Sequence, residues 1–308
     1  MQLRYHLRRL RKDQRGSIAV ITALGMVVIM GMAALVLDVG SLYLERARIT
    51  RAADAAALAG SQSLVGTPKP ADAFLEAAVY GWNNGLDLSK TQIRVDEVNR
   101  KVKVESTKGV TFGLARLIGV DKGDVQGPSE AQVGAVTGVR YAVPLGVEKQ
   151  NFVYGQTYIL KEGGGSGYNG NYGALALGLG ASDYRTNLQY GYDGWLRVNQ
   201  WVPTETGNMS GPTWVAMKSR FDRTDPKWSF DNATQDCPLL LIVPVINTFT
   251  VNGRGEVQVV GFAAMYVDKY IGNGSDSQIY ARFKEMIIEG EFSPVQTDYG
   301  LRSSKLTR

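Results

Sequence analysis

Four aspartates, Asp222, Asp225, Asp231 and Asp236, crowd the stretch FDRTDPKWSFDNATQD that runs up to Cys237. Paired carboxylates can drive glycoside hydrolysis when one is held protonated in a cleft, and grouped ones can bind Ca²⁺. Asp222 and Asp225 are the pair a hydrolase of this kind would use. The spacing follows no calcium loop, and Pro226 and Asn232 suit a solvated connection equally well. Little other chemistry is open. His6 is the one histidine and lies in a basic leader, so Ser-His-Asp triads, Cys-His pairs and His-based zinc sites are excluded from the rest of the chain. Cys237 is the one cysteine, which rules out an internal disulfide or a multi-thiolate metal site. Beside Pro238 and the run LLLIV it reads as a small buried hydrophobe. No catalytic, metal or cofactor-binding residue is expected.

Two further groupings concern binding. Tyr184, Tyr190, Tyr192, Trp195 and Trp201 fall within eighteen residues, among Asn, Gln and Gly. On a surface, Tyr190, Tyr192 and Trp195 could stack on an envelope glycan or dock a partner; alternating along strands, the same rings would fill a core. The glycines at 163–165 and 167 are followed by Tyr-Asn-Gly rather than the Gly-Lys-Ser/Thr of a phosphate loop, and read as a surface loop.

The element that must place everything downstream is an uncharged run of 22 residues, 16–37. As a helix it would extend about 33 Å, against about 30 Å for the hydrocarbon core of a bilayer. A buried core helix would be shorter and amphipathic, and a cleaved secretory signal would carry an apolar region of roughly 7–15 residues. Here the helical pattern continues unbroken through Asp38-Val-Gly-Ser-Leu-Tyr-Leu-Glu-Arg, which favours a retained anchor in membrane lipid. Arg4, Arg8, Arg9, Arg11, Lys12 and Arg15 precede the run, opposed only by Asp13. Short basic flanks stay in the cytoplasm, so the chain is expected to cross the cell membrane once, with its C-terminal portion extracytoplasmic. Residues 1–37 account for the whole formal charge of +5, and residues 38–308 balance. The basic excess therefore reports orientation, and no nucleic-acid partner is expected.

Beyond the span, SLYLERARITRAADAAALAGSQSL propagates the helix until Gly66, Thr67 and Pro68 end it. Ala52, Ala56 and Gly60 recur every four residues, a spacing that admits a second helix closely, although alanine is also simply the best helix former. Asp38 sits where a charge can reach the interface without burial.

The sequence divides into a basic cytoplasmic leader (1–15), a transmembrane helix (16–37), a helical extension (38–65), a small α/β domain (67–137) and a β-rich extracytoplasmic domain (138–308). Residues 70–84 show helical spacing, 91–95 and 101–106 form a hairpin across Asn99-Arg100, 110–118 reads as a short helix, and 125–137 as a third strand. After 138, strands are expected at 141–147, 156–161, 174–179, 196–202, 239–246, 257–270 and 299–306, with a helix at 211–221. The fold class is α+β: a long rod helix, a small α/β domain, then a mainly antiparallel β domain.

Over residues 14–62 the chain resembles TadG-like proteins of the Tad, or Flp, pilus-assembly system. The likeness rests on Arg15-Gly16 at the membrane entry, Asp38-Val-Gly40 at its exit, and the run Asp54, Ala55, Ala56, Ala57, Leu58, Ala59 with Gly60. The resemblance implies a membrane-anchored, non-enzymatic component whose partners are other Tad/Flp pilus-assembly proteins. Gly16, Asp38, Gly40, Ala52, Asp54, Ala56 and Gly60 are the residues expected to serve membrane and helix packing. Type IV pilins cut by prepilin peptidase carry Glu at the fifth position after the cleavage glycine; after Gly16 that position is Ile21.

Overall fold

A computed structural model describes residues 15–66, 68–161, 173–205, 207–250, 254–272 and 277–307; most of the basic leader and the glycine run at 163–167 lie outside them. The architecture is α+β. Helix α1 (Arg15–Gln62) is one unbroken rod. Around its outer part fold α2 (Pro70–Asn83) and strands β1 (Thr91–Asp96), β2 (Lys101–Thr111) and β3 (Lys122–Val139). There follow β4 (Val147–Glu148), β5 (Thr157–Lys161), α3 (Gly180–Tyr190), β6 (Leu196–Arg197), β7 (Trp201–Pro203), α4 (Ser210–Asp222), β8 (Leu240–Ile246), β9 (Glu256–Ile271), β10 (Gln278–Lys284), β11 (Met286–Ile287), β12 (Glu291–Ser293) and β13 (Leu301–Leu306).

The strands form two sheets. The first runs β1-β2-β3-β13-β11, with β12 and β6 also pairing β3; the second runs β4-β8-β9-β10-β5, with β7 on β9. Pairing is antiparallel except for β4 with β8 and β11 with β13. Strand β3 is the spine of the molecule. Val125 and Ala131 face the core around α1, whereas Val136 and Val139 belong to the larger core around the second sheet. The last strand, β13, returns to lie beside β3, and Ser304 Oγ sits 2.5 Å from Ser61 Oγ at the end of the rod.

Helix α1 changes environment along its length. Its first apolar turns are bare to all sides, with none of the most apolar window buried. Further out, Ile49, Ala52, Ala53, Ala56 and Ala57 are buried in the core that β2, β3 and α2 share. Alanine suits these positions because the rod is clamped from two directions. On one side β3 comes so near at Gly127 that an added Cβ would lie 2.9 Å from the backbone at Ile49 and Thr50. On the other, Ala73, Ala77 and Gly81 of α2 present their own small-residue face. A Cβ on Gly60 would meet the Ala73 carbonyl oxygen at 2.6 Å and Ala77 Cβ at 2.9 Å. The close approach expected at Ala52, Ala56 and Gly60 thus occurs within the chain. The expectation that this face receives a partner's helix is corrected, because α2 already covers it and these residues are buried.

Four local expectations also change. The strand expected at 141–147 is reduced to an isolated bridge at Leu145 and the two-residue β4. Residues 110–118 are not a helix: β2 continues to Thr111, and only Ala115–Ile118 winds into a 3₁₀ turn. The stretch at 174–179 makes isolated bridges through Ala174 and Leu175 before α3, a helix whose polar sequence GASDYRTNLQY concealed it. Residues 196–202 divide into β6 and β7, separated by Asn199 at φ 69°.

Candidate functional site around Asp38

Asp38 follows the uncharged run directly, and it is buried, only 7% exposed. What buries it is the tip of the β2–β3 hairpin. The carboxylate accepts from Gly113 N–H at 2.7 Å, Leu114 N–H at 3.2 Å and Ala115 N–H at 2.6 Å. Three successive amides converging on one carboxylate form an anion-binding nest. These donors, the Ala115 bond foremost, hold the Asp38 pKa below the usual aspartate range. The loop can turn its amides inward because Phe112 N–H donates to Asp121 O at 3.0 Å and Gly119 adopts φ 88°, closing the hairpin behind them. Asp38 is thus no interfacial charge left to solvent. It is the latch between the rod and the head, and its burial at this point corrects the reading of a charge merely reaching the interface.

A second tie lies seven residues, or two helical turns, further out on the same face. Glu45 pairs with Lys108 of β2, and with Arg48 at 3.3 Å. Lys108 is the leading cause that lowers the Glu45 pKa. Sequence reasoning missed Glu45; the spacing of seven from Asp38 was the available signal, but only the position of β2 gives it meaning.

With this geometry in view, the comparison with known families is informative. Residues 16–67 match the family model described as putative Flp pilus-assembly TadE/G-like. That segment of the chain is TadE/G-like. No curated protein and no solved structure matches the chain. The matched residues cover the apolar run, the latch aspartate and the alanine face.

Within the TadE/G-like segment the candidate residues divide by environment. Gly16 lies in the first turn of α1. Ala52, Ala56 and Gly60 line the α1–α2 contact, and Asp54 is half-buried beside them. At Gly40 an added Cβ would meet nothing within 4 Å, so no neighbour in the chain requires glycine there.

Outside the segment, the remaining candidates do not form one site. Tyr190 ends α3 and is 58% exposed, with the Arg223 guanidinium 4.7 Å from its ring centre. Trp195 is 42% exposed under Arg197. Tyr192 instead packs against the larger core, and its backbone exchanges hydrogen bonds with Tyr141 and Ala142. Cys237 is buried, and desolvation pushes its thiol pKa up. It borders a cavity of about 360 Å³ also lined by Tyr190, Arg220, Arg223 and Asp236. Arg220 is buried there, its pKa lowered by desolvation to about 9, and it donates to Leu188 O at 2.6 Å and Pro238 O at 2.5 Å.

The hydrolase reading fails on geometry. Asp222 pairs with Lys218 at 2.6 Å and Asp225 with Lys227 at 3.3 Å, and both carboxylates are more than half exposed. The Lys227 backbone amide, then its ammonium, lowers the Asp225 pKa, the reverse of what a general acid needs. Among the described residues no group of three or more His, Cys, Asp or Glu is placed to hold a metal ion.

Proposed function

We propose that the protein is a membrane-anchored, non-catalytic component of Tad/Flp-type pilus assembly, crossing the cell membrane once through α1. One observation carries the reading. The same helix that exposes an uncharged apolar surface all round over residues 18–37 runs without a break into the packed centre of the head. An apolar helix wholly outside its own protein needs another apolar phase, and this one has the length of a bilayer. The six basic residues before it favour a cytoplasmic N-terminus and an extracytoplasmic head. The TadE/G-like match of residues 16–67 supports assembly proteins of that system as partners. Their contact surface is then the outward side of α2, where Phe74, Leu75, Val79, Tyr80 and Trp82 are exposed.

Protease added to intact, wall-stripped cells tests the topology. Loss of a C-terminal epitope with retention of an N-terminal one is the expected result. A C-terminal epitope that survives until the membrane is lysed refutes it. For the partner surface, Phe74→Asp with Trp82→Asp is expected to abolish crosslinks to Tad proteins without unfolding the head.

A second reading, a glycan-binding head, draws on the exposure of Tyr190 and Trp195. Binding of the purified protein to an envelope-glycan array, lost on Trp195→Ala, supports it; an array silent for the unaltered protein counts against it.

A further inference from the structure

The hairpin that latches Asp38 descends along the rod in register with it. Gly127 of β3 abuts Ile49 and Thr50, Gly123 lies beside Leu42, and Gly113 reaches Asp38. Each step brings the sheet closer to the apolar run, so the tip between Phe112 and Lys122 is the part of the head level with its last turn. Leu114 is 38% exposed and Val120 46% exposed, and the loop adds Arg116, with Lys122 opening β3. On the rod beside it, Val39, Tyr43 and Leu44 are exposed as well, so apolar surface continues past Asp38.

We propose that this hairpin tip is a second membrane contact, with Val120 and Leu114 seated at the headgroup–acyl boundary of the same bilayer that α1 crosses. The inference rests on the anchor reading of α1. Aliphatic side chains suit that boundary, where Lys122, and Arg116 despite its pairing with the exposed Asp121 at 3.8 Å, reach lipid phosphates. The arrangement also gives the latch a purpose. A head fixed to a single helix could tilt freely about the exit point, whereas two contacts with one surface fix its attitude to the membrane.

The test uses the full chain in vesicles of phosphatidylethanolamine and phosphatidylglycerol. Single cysteines carrying an environment-sensitive fluorophore are placed at Val28→Cys, Val120→Cys or Val98→Cys in a Cys237→Ala background. Val98 is 90% exposed in the β1–β2 turn, at the opposite end of β2 from the tip. Quenching by lipid-borne nitroxides is expected at positions 28 and 120, with position 98 quenched only by aqueous iodide. Lipid quenching at 28 with only iodide quenching at 120 overturns the inference and leaves the anchor standing. Iodide quenching at all three positions overturns both.

Discussion

Gly40 and Gly60 lie in the same helix, yet replacing each with alanine should shift stability in opposite directions. Alanine is favoured over glycine inside a helix by about 0.8–1.0 kcal/mol. At Gly40 nothing stands within 4 Å of the new methyl, so Gly40→Ala should keep most of that gain. At Gly60 the methyl meets the Ala73 carbonyl oxygen at 2.6 Å, Ala77 Cβ at 2.9 Å and Val102 Cγ1 at 3.3 Å. The first contact is backbone and the second a methyl fixed to a helix, so neither can swing aside. Overpacking of this kind costs typically 1–3 kcal/mol. Set against the helix gain, Gly60→Ala should destabilise the head by up to about 2 kcal/mol. For a body of this size that is a fall of up to roughly 8 °C in melting temperature. Urea unfolding of the detergent-solubilised chain, followed by tryptophan fluorescence, measures both variants under one condition. A Gly60→Ala protein as stable as Gly40→Ala would refute the close α1–α2 contact and reopen that face to an outside helix.

The latch gives a pH signature. Because three amides favour its ionised form, Asp38 takes up a proton less readily in the folded state than in the unfolded one. Its stabilisation is complete above the ordinary aspartate pKa of about 3.9 and is lost as pH falls through the lower folded value. Protection factors at Gly113–Ala115, exchange rates taken relative to the unprotected amide at the same pH, should therefore fall on acidification, and Asp38→Asn should show low protection already at neutral pH. Arg220→Met leaves the Leu188 and Pro238 carbonyls without their charged donor, and roughly 2 kcal/mol of stability should disappear in the same urea assay. Replacing both Asp222 and Asp225 with Asn removes exposed ion pairs, and the asparagine oxygen at position 225 can still accept from the Lys227 amide, so the urea midpoint should be unchanged.

The sequence was most legible where one residue type had one physical meaning. An uncharged run of 22 residues beside clustered arginines defines the first part of α1, because it holds no residue that would break the helix. The unbroken Ala, Leu and Arg pattern carried the rod on to Gln62, and alternation placed β1, β3, β8 and β9 close to their observed bounds but stopped β2 five residues short. Less legible were elements whose residues mix signals. The polar α3 hid its two buried side chains, Tyr184 and Leu188, and Arg282 and Lys284 masked the inward alternation of Ile279, Ala281 and Phe283 in β10.

By itself, then, the sequence determined the rod, its apolar length and the near absence of histidine and cysteine chemistry, because these follow from composition and short-range periodicity. Tertiary structure alone decided what the rod's features are for. Asp38 is a latch because amides 75–77 positions later turn toward it, and the alanine face is filled because α2 folds back onto it. Such pairings depend on how distant segments close in space, which no local pattern records.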